Sequence, residues 1–279
     1  MGIIHPFPTI LVSGLVAALA TLAGGSPIAV AILAVAMFGF QASIGATNDL
    51  ADLPRDRQLA SRKPLPARQL TVRAARGVAL VGGTVGLVLS ALLGPGVVIV
   101  GCAGYGCGIA YDLWLRQRAL AWLAYSAAFP LLLVYVWVGA VGTLPPSWQA
   151  LLPMAVAIGP ALHLSNSMVD VDTDHADPAG GLAGHLGRTR ALVVLTSLLT
   201  LVYLFAWATV LLTGRETDSD GGAPVAGLAA AGMFLATFVA SVGLLLSTRS
   251  RRDRRTVGWA AQALATALLG IAWIAAVAA

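Results

Sequence analysis

The sequence predicts an all-α, polytopic membrane protein of nine transmembrane helices, and three observations lead there. Of its 279 residues 58% are hydrophobic and only 10% charged, where a water-soluble domain carries about 25% charged residues; the mean hydropathy is +0.85. The apolar residues fall into nine stretches, each near the roughly 20 residues a helix needs to cross a bilayer core. The charges gather in one alternating set of connecting loops. Nine spans leave about 100 residues for loops and ends, which excludes a large soluble domain.

The first stretch, 8–24, follows MGIIHPFPTI, which has neither a basic leader nor a small-residue cleavage site, so it is expected to stay as a span. Span 2, 27–47, runs into NDLADLPRD, and span 3, 73–93, follows a loop stiffened by Pro64 and Pro66. Span 4, 95–115, holds Gly101, Gly104 and Gly108 at spacings of three and four, which line small residues along one helix face. Its GCAGYGCG run is no nucleotide loop, because no strand precedes it. Cys102 and Cys107 lack the partner ligands of a zinc site and read as packing thiols. Spans 5 and 6, 119–142 and 147–169, lead into NSMVDVDTDHAD, and spans 7 to 9 occupy 189–213, 223–247 and 256–278. Helices are the element for all nine, since open strands leave backbone groups unsatisfied in lipid and alternating ten-residue strands are absent from the sequence.

Sixteen of the seventeen Lys and Arg residues lie between spans 2 and 3, 4 and 5, 6 and 7, or 8 and 9; only Arg215 lies elsewhere. By the positive-inside rule those loops and the N-terminus are cytoplasmic and the C-terminus faces outward, in a cytoplasmic (plasma) membrane. The pI near 9.8 therefore reports topology, and no nucleic-acid partner is expected.

Seven of the twelve acids fall in two clusters, Asn48 to Asp56 and Asn166 to Asp177, at the expected cytoplasmic ends of spans 2 and 6. On a helix Asn48, Asp52 and Asp56 share one face at i, i+4 and i+8, and Asn166, Asp170 and Asp174 repeat that spacing. The second triplet follows the first by 118 residues, the length of four spans. A single domain over 1–279 with an internal four-helix repeat would bring two equivalent acidic faces to one cavity. Carboxylates one turn apart repel unless a cation joins them, and an all-oxygen set suits Mg2+, commonly bound by one or two carboxylates plus substrate phosphates. Arg62 and Lys63, held before Pro64-Leu65-Pro66, read as diphosphate contacts.

NDxxDxxxD at Asn48, Asp49, Asp52 and Asp56, then Arg62-Lys63-Pro64-Leu65-Pro66, and NxxxDxxxD at Asn166, Asp170 and Asp174, resemble the UbiA superfamily of intramembrane prenyltransferases over nearly the whole chain. The resemblance implies nine helices around a central cavity open to lipid, with two Asp-rich cytoplasmic caps. It further implies Mg2+-dependent transfer of a prenyl group from an isoprenyl diphosphate to an aromatic or other lipophilic acceptor. Asp49, Asp52, Asp56, Asp170 and Asp174 would be metal ligands, with Asn48 and Asn166 completing the shell around the diphosphate. The family's Tyr and Lys at the end of helix 4 correspond to Tyr111, beside the reacting centre, and Arg116, on the diphosphate; Arg keeps the charge without the compact ammonium.

Two departures stand out. The family's Arg-Pro before helix 1 is His5-Pro6 here, and the loop after the second motif carries no Lys or Arg before Arg188, leaving His185 as a partial stand-in. His5, His163, His175 and His185 otherwise read as structural residues, and Asp172 and Asp177 as additional acids. Gln41 and Ser43 are the polar candidates to line the acceptor cavity. A membrane terpene cyclase using the same ionisation is the alternative, distinguished by a cyclic product made without an acceptor. A cation or organic-anion transporter would need acids near mid-span, and both clusters lie at span ends.

Overall fold

The computed structural model describes residues 3–58, 63–116, 118–145, 147–172, 182–213 and 223–278. Arg62, Asp174, His175 and Asp177, among the residues of interest, lie outside them. Among the described residues the regular structure is helical throughout: α1 (Pro6–Leu22), α2 (Pro27–Gln58), α3 (Val72–Leu93), α4 (Pro95–Ala110, continued by a π-turn Tyr111–Leu115), α5 (Trp122–Val141), α6 (Trp148–Ser167), α7 (Leu182–Leu186), α8 (Arg188–Thr213), α9 (Ala223–Ser247) and α10 (Arg252–Ala278).

Each expected span has its helix. Seven of these are long and apolar enough to cross a membrane. The two others are α1, apolar but 17 residues long, and α6, whose apolar run is diluted by Pro153, Pro160, His163 and Asn166. Punctuation follows local chemistry. Pro6 opens α1 and Pro95 opens α4, where a missing N–H costs nothing. Thr71 caps α3 by accepting from Ala74 N at 3.1 Å, and Gly94, at φ +122, makes the turn into α4. The largest difference from expectation is α2, which continues past 47 to Gln58 and carries Pro54 inside it. At 32 residues it is about 48 Å long, well beyond the ~30 Å hydrocarbon core, so its polar end projects out of the apolar layer.

The chain forms two compact units, Met1–Arg116 with Leu131–Pro145, and Gln117–Pro130 with Pro146–Ala279. The boundary in α5 falls at Pro130, where the helix lacks a backbone hydrogen bond. In the first unit α2 lies against α1 and α3. A Cβ on Gly39 would come within 2.6 Å of Gly82 O, and one on Gly82 equally close to Gly39 O, so bare backbone sets that spacing. Ser43 is fully buried in the same seam, donating to Ala79 O at 2.6 Å and meeting Tyr105 Oη at 2.8 Å. Ser43 therefore ties α2 to its neighbours, which corrects its assignment as an acceptor-lining residue; a hydroxyl in an apolar seam must be satisfied. In the second unit Gly243 and Gly258 let α9 and α10 meet in the same way. Outward faces are apolar, as at Leu80, Ile99 and Leu228, and suit a lipid solvent.

Candidate active site

The first acid motif lies wholly on the last three turns of α2, as its spacing predicts. Asp49 is 3% and Asp52 9% exposed, and burial of that kind requires compensating charge. Lys63 provides it. Its Nζ lies 3.3 Å from Asp49 Oδ1, 3.5 Å from Asp52 Oδ2 and 2.9 Å from Asp56 Oδ2. One ammonium thus gathers all three carboxylates. Asp56 Oδ2 is buried and pairs with it by charge without a hydrogen bond.

The loop that carries Lys63 is anchored on its other side. Leu65, 2% exposed, clusters with Leu53 and Ala75, and Ala67 N donates to Lys63 O at 3.0 Å while Gln69 N donates to Pro64 O at 2.9 Å. The prolines and one buried leucine hold Lys63 over the acids, as the loop composition predicts. Its neighbour Arg62 is outside the described residues.

The π-turn at the end of α4 brings three more groups. Arg116 N donates to Tyr111 O, five residues back, at 2.9 Å; the extra residue in that turn re-aims the side chains after it. Trp114 faces outward, Asp112 is 7% exposed, and the Arg116 guanidinium grips both oxygens of Asp52, with Nη1 2.6 Å from Oδ2. Asn48 donates Nδ2 to Asp112 Oδ1 at 2.9 Å. Tyr111 itself is half-buried at the start of the turn.

His5 completes this group. It sits in the left-handed region at φ 46 and passes over Gly45, where a Cβ would meet its ring at 3.1 Å. Its Nε2 lies 3.2 Å from Asp49 Oδ1. The histidine read as structural is therefore on the first motif, and glycine at 45 is what admits it.

The second acid group belongs to the second unit and is built differently. The helix stops at Ser167, with Met168 N on Leu164 O at 2.9 Å and Val169 N on Asn166 O at 3.1 Å. Asp170 therefore lies beyond α6, and the shared helical face expected for Asn166 and Asp170 does not form. Asn166 and Ser167, the last two residues of α6, have low helix propensity and compete for backbone hydrogen bonds. Asn166 Nδ2 reaches Tyr125 Oη at 3.5 Å, and His163 meets the same tyrosine ring with centroids 5.4 Å apart.

Basic partners come from the start of α10. Arg252 Nε is 2.5 Å from Asp170 Oδ1 and Nη2 is 3.3 Å from Oδ2. Arg255, 3% exposed, donates Nε and Nη2 to Val169 O at 3.2 Å each and Nη1 to Ser250 O at 2.7 Å, and lies 2.9 Å from Asp172 Oδ2. From sequence alone these two arginines are topology signals only. His185 is exposed on α7.

The first group fits a hard divalent cation by chemistry: the buried carboxylates of Asp49 and Asp52 and the half-buried one of Asp56 converge on one positive charge with no thiol among them. Its dimensions are those of an ammonium, since Mg2+ takes oxygens at about 2.0–2.1 Å. Accordingly, among the described residues no three Asp, Glu, His or Cys side chains are gathered closely enough to hold an ion as they stand. Mg2+ would require Lys63 to yield its place and the acids to draw in by roughly 1 Å.

The family model described as "UbiA prenyltransferase family" matches residues 7–263. No curated protein matches the chain in sequence. Among solved structures, a UbiA homolog from Archaeoglobus fulgidus bound to GPP and Mg2+ shares 15% identity over 99% of this chain and 98% of its own, with a TM-score of 0.68. An apo UbiA homolog from Aeropyrum pernix K1 shares 18% identity over 93% and 96%, with a TM-score of 0.68. A structure of digeranylgeranylglyceryl phosphate synthase shares 14% over 97% and 94%, with a TM-score of 0.62. At these identities the likeness is one of fold.

Proposed function

The chain belongs to the UbiA prenyltransferase family, and from that premise we propose that it transfers a prenyl group from an isoprenyl diphosphate to an aromatic or other lipophilic acceptor within the membrane, releasing diphosphate in an Mg2+-dependent reaction. The observation that carries this reading is the convergence of Asp49, Asp52 and Asp56 on one cation with Arg116 beside them. Similarity to a fold that binds GPP and Mg2+ supports the donor and the metal.

Asp49, Asp52, Asp56, Asp170 and Asp174 are the proposed metal ligands, directly or through water. Asn48, Asn166, Arg62, Lys63 and Arg116 are the proposed diphosphate contacts. Bound Mg2+ supplies the positive charge that lets carboxylates and diphosphate coexist. Lys63 and Arg116 then donate to phosphate oxygens, where negative charge grows as the allylic C–O bond breaks and its electron pair leaves with the diphosphate. The prenyl cation bonds to the acceptor, which gives up a proton, and the ring face of Tyr111 favours the cation electrostatically. Apolar helices exclude water that would otherwise capture the cation as an alcohol. The sixteen-to-one distribution of basic residues supports placing both motifs on the cytoplasmic side.

The test is diphosphate release by the purified chain from labelled geranylgeranyl diphosphate, with and without Mg2+, against a panel of quinone precursors, tetrapyrroles, sugar phosphates and prenylglyceryl phosphates. The last class is included because of the fold shared with digeranylgeranylglyceryl phosphate synthase. Acceptor-dependent release supports transfer. A cyclic hydrocarbon formed without acceptor supports cyclisation, and no release with any acceptor overturns both.

A further inference from the structure

The two acid groups differ in where their bases come from. The first is followed within seven residues by Lys63, whereas no Lys or Arg stands between Asp170 and Arg188. In the second unit the missing bases arrive from the far end of the sequence, at the start of α10. Arg255 is buried with its guanidinium spread over Val169 O, Ser250 O and Asp172, which fastens the segment carrying Asp170 to α10. Arg252 is of another kind. Its side chain is 64% exposed and its partner Asp170 46% exposed, so the pair is solvated and weakly held.

We propose that Arg252 is a substrate-binding residue for the allylic diphosphate and that Arg255 is the positioning residue that holds the second acid group in place. The proposal rests on the prenyl-diphosphate reading. With donor and Mg2+ bound, Asp170 would be a ligand of the metal and Arg252 would exchange that carboxylate for phosphate oxygens. The exchange is like for like: the guanidinium fork that now spans the two oxygens of an exposed carboxylate fits phosphate oxygens equally well. Arg255 cannot take this part, because its N–H groups are already committed to carbonyls and to Asp172.

The experiment uses the full chain in detergent and measures equilibrium binding of geranyl S-thiolodiphosphate with Mg2+, together with kcat and KM for geranylgeranyl diphosphate. Arg252→Gln is expected to raise Kd and KM about 10- to 100-fold, the loss of a charge-assisted hydrogen-bonded contact, with kcat changing less than about threefold; Arg252→Lys should recover part of the loss. Arg255→Lys is expected to raise the Mg2+ concentration needed for half-maximal analogue binding, a quantity a merely structural role remote from the site would not move. Wild-type affinity in Arg252→Gln overturns the proposal while leaving the enzyme reading intact. Analogue that fails to bind the wild-type chain overturns both. Because Arg252 is exposed, its variants test contact and not folding.

Discussion

Asn48 donates its side-chain amide to Asp112 across 2.9 Å, from the α2 motif to the π-turn that closes α4. The bond fixes which way the amide faces: its nitrogen is committed to Asp112, and its carbonyl oxygen is the atom left to meet a cation. Asp112 Oδ2 is buried without a hydrogen-bond partner. An acid that looks incidental in YDLWLR therefore orients the first residue of the motif.

Replacing Asp112 separates these roles. Asp112→Ala leaves the Asn48 amide without its acceptor and should lower stability by about 1 kcal/mol and diphosphate release about tenfold. Asp112→Asn keeps an acceptor carbonyl and removes the orphaned oxygen, so its melting temperature should equal or exceed that of the wild type. Thermal melts and pyrophosphate assays on both variants check this; equal behaviour of the two would contradict it.

Lys63 holds together carboxylates that otherwise repel. Lys63→Met should melt lower than the wild type in EDTA, and adding Mg2+ should stabilise the variant more than the wild type, because the ion replaces the lost ammonium. Melting temperatures at several Mg2+ concentrations supply the comparison. An Mg2+ shift no larger than the wild type's would show that the ammonium and the metal do not share a place.

The glycine seam gives a stability contrast. Gly39→Ala puts a Cβ 2.6 Å from Gly82 O and should cost about 1–3 kcal/mol through overpacking. Gly270 has nothing within 4 Å of the same position, so Gly270→Ala should be neutral or stabilising by about 0.5–1 kcal/mol, as expected for glycine within a helix. Detergent melts of the two single variants measure the difference.

Much of this was legible from residues alone. Span limits follow from hydropathy, and eight helices end close to where their apolar runs end; α2 overshoots because NDLADLPRDRQ keeps forming helix once the apolar run is over. Asn48, Asp49, Asp52 and Asp56 lie on helix as their spacing predicts, whereas the meeting of the three acids at Lys63 and of Asn48 with Asp112 is seen only in the fold. The helical face expected for Asn166 and Asp170 fails, because a period of four says nothing about whether the backbone continues past Ser167. Arg252 and Arg255 are hidden for another reason: basic residues at a span end serve topology by default, and only the fold brings Arg252 to Asp170, 82 residues away in sequence, and Arg255 to Val169, 86 residues away. His5 stands out in the sequence only as a departure from the family's Arg-Pro; its place beside Asp49 depends on Gly45, which leaves room for the ring.

Asp52 on α2 and Asp170 in the second unit are both expected to govern chemistry at an allylic diphosphate. Pyrophosphate release from geranylgeranyl diphosphate by wild type, Asp52→Asn and Asp170→Asn, each with Mg2+ and with EDTA, tests it most directly. Mg2+-dependent release by the wild type and a loss of about 100-fold or more in each variant are expected. Release by Asp52→Asn at the wild-type rate, or wild-type release undiminished in EDTA, would contradict it.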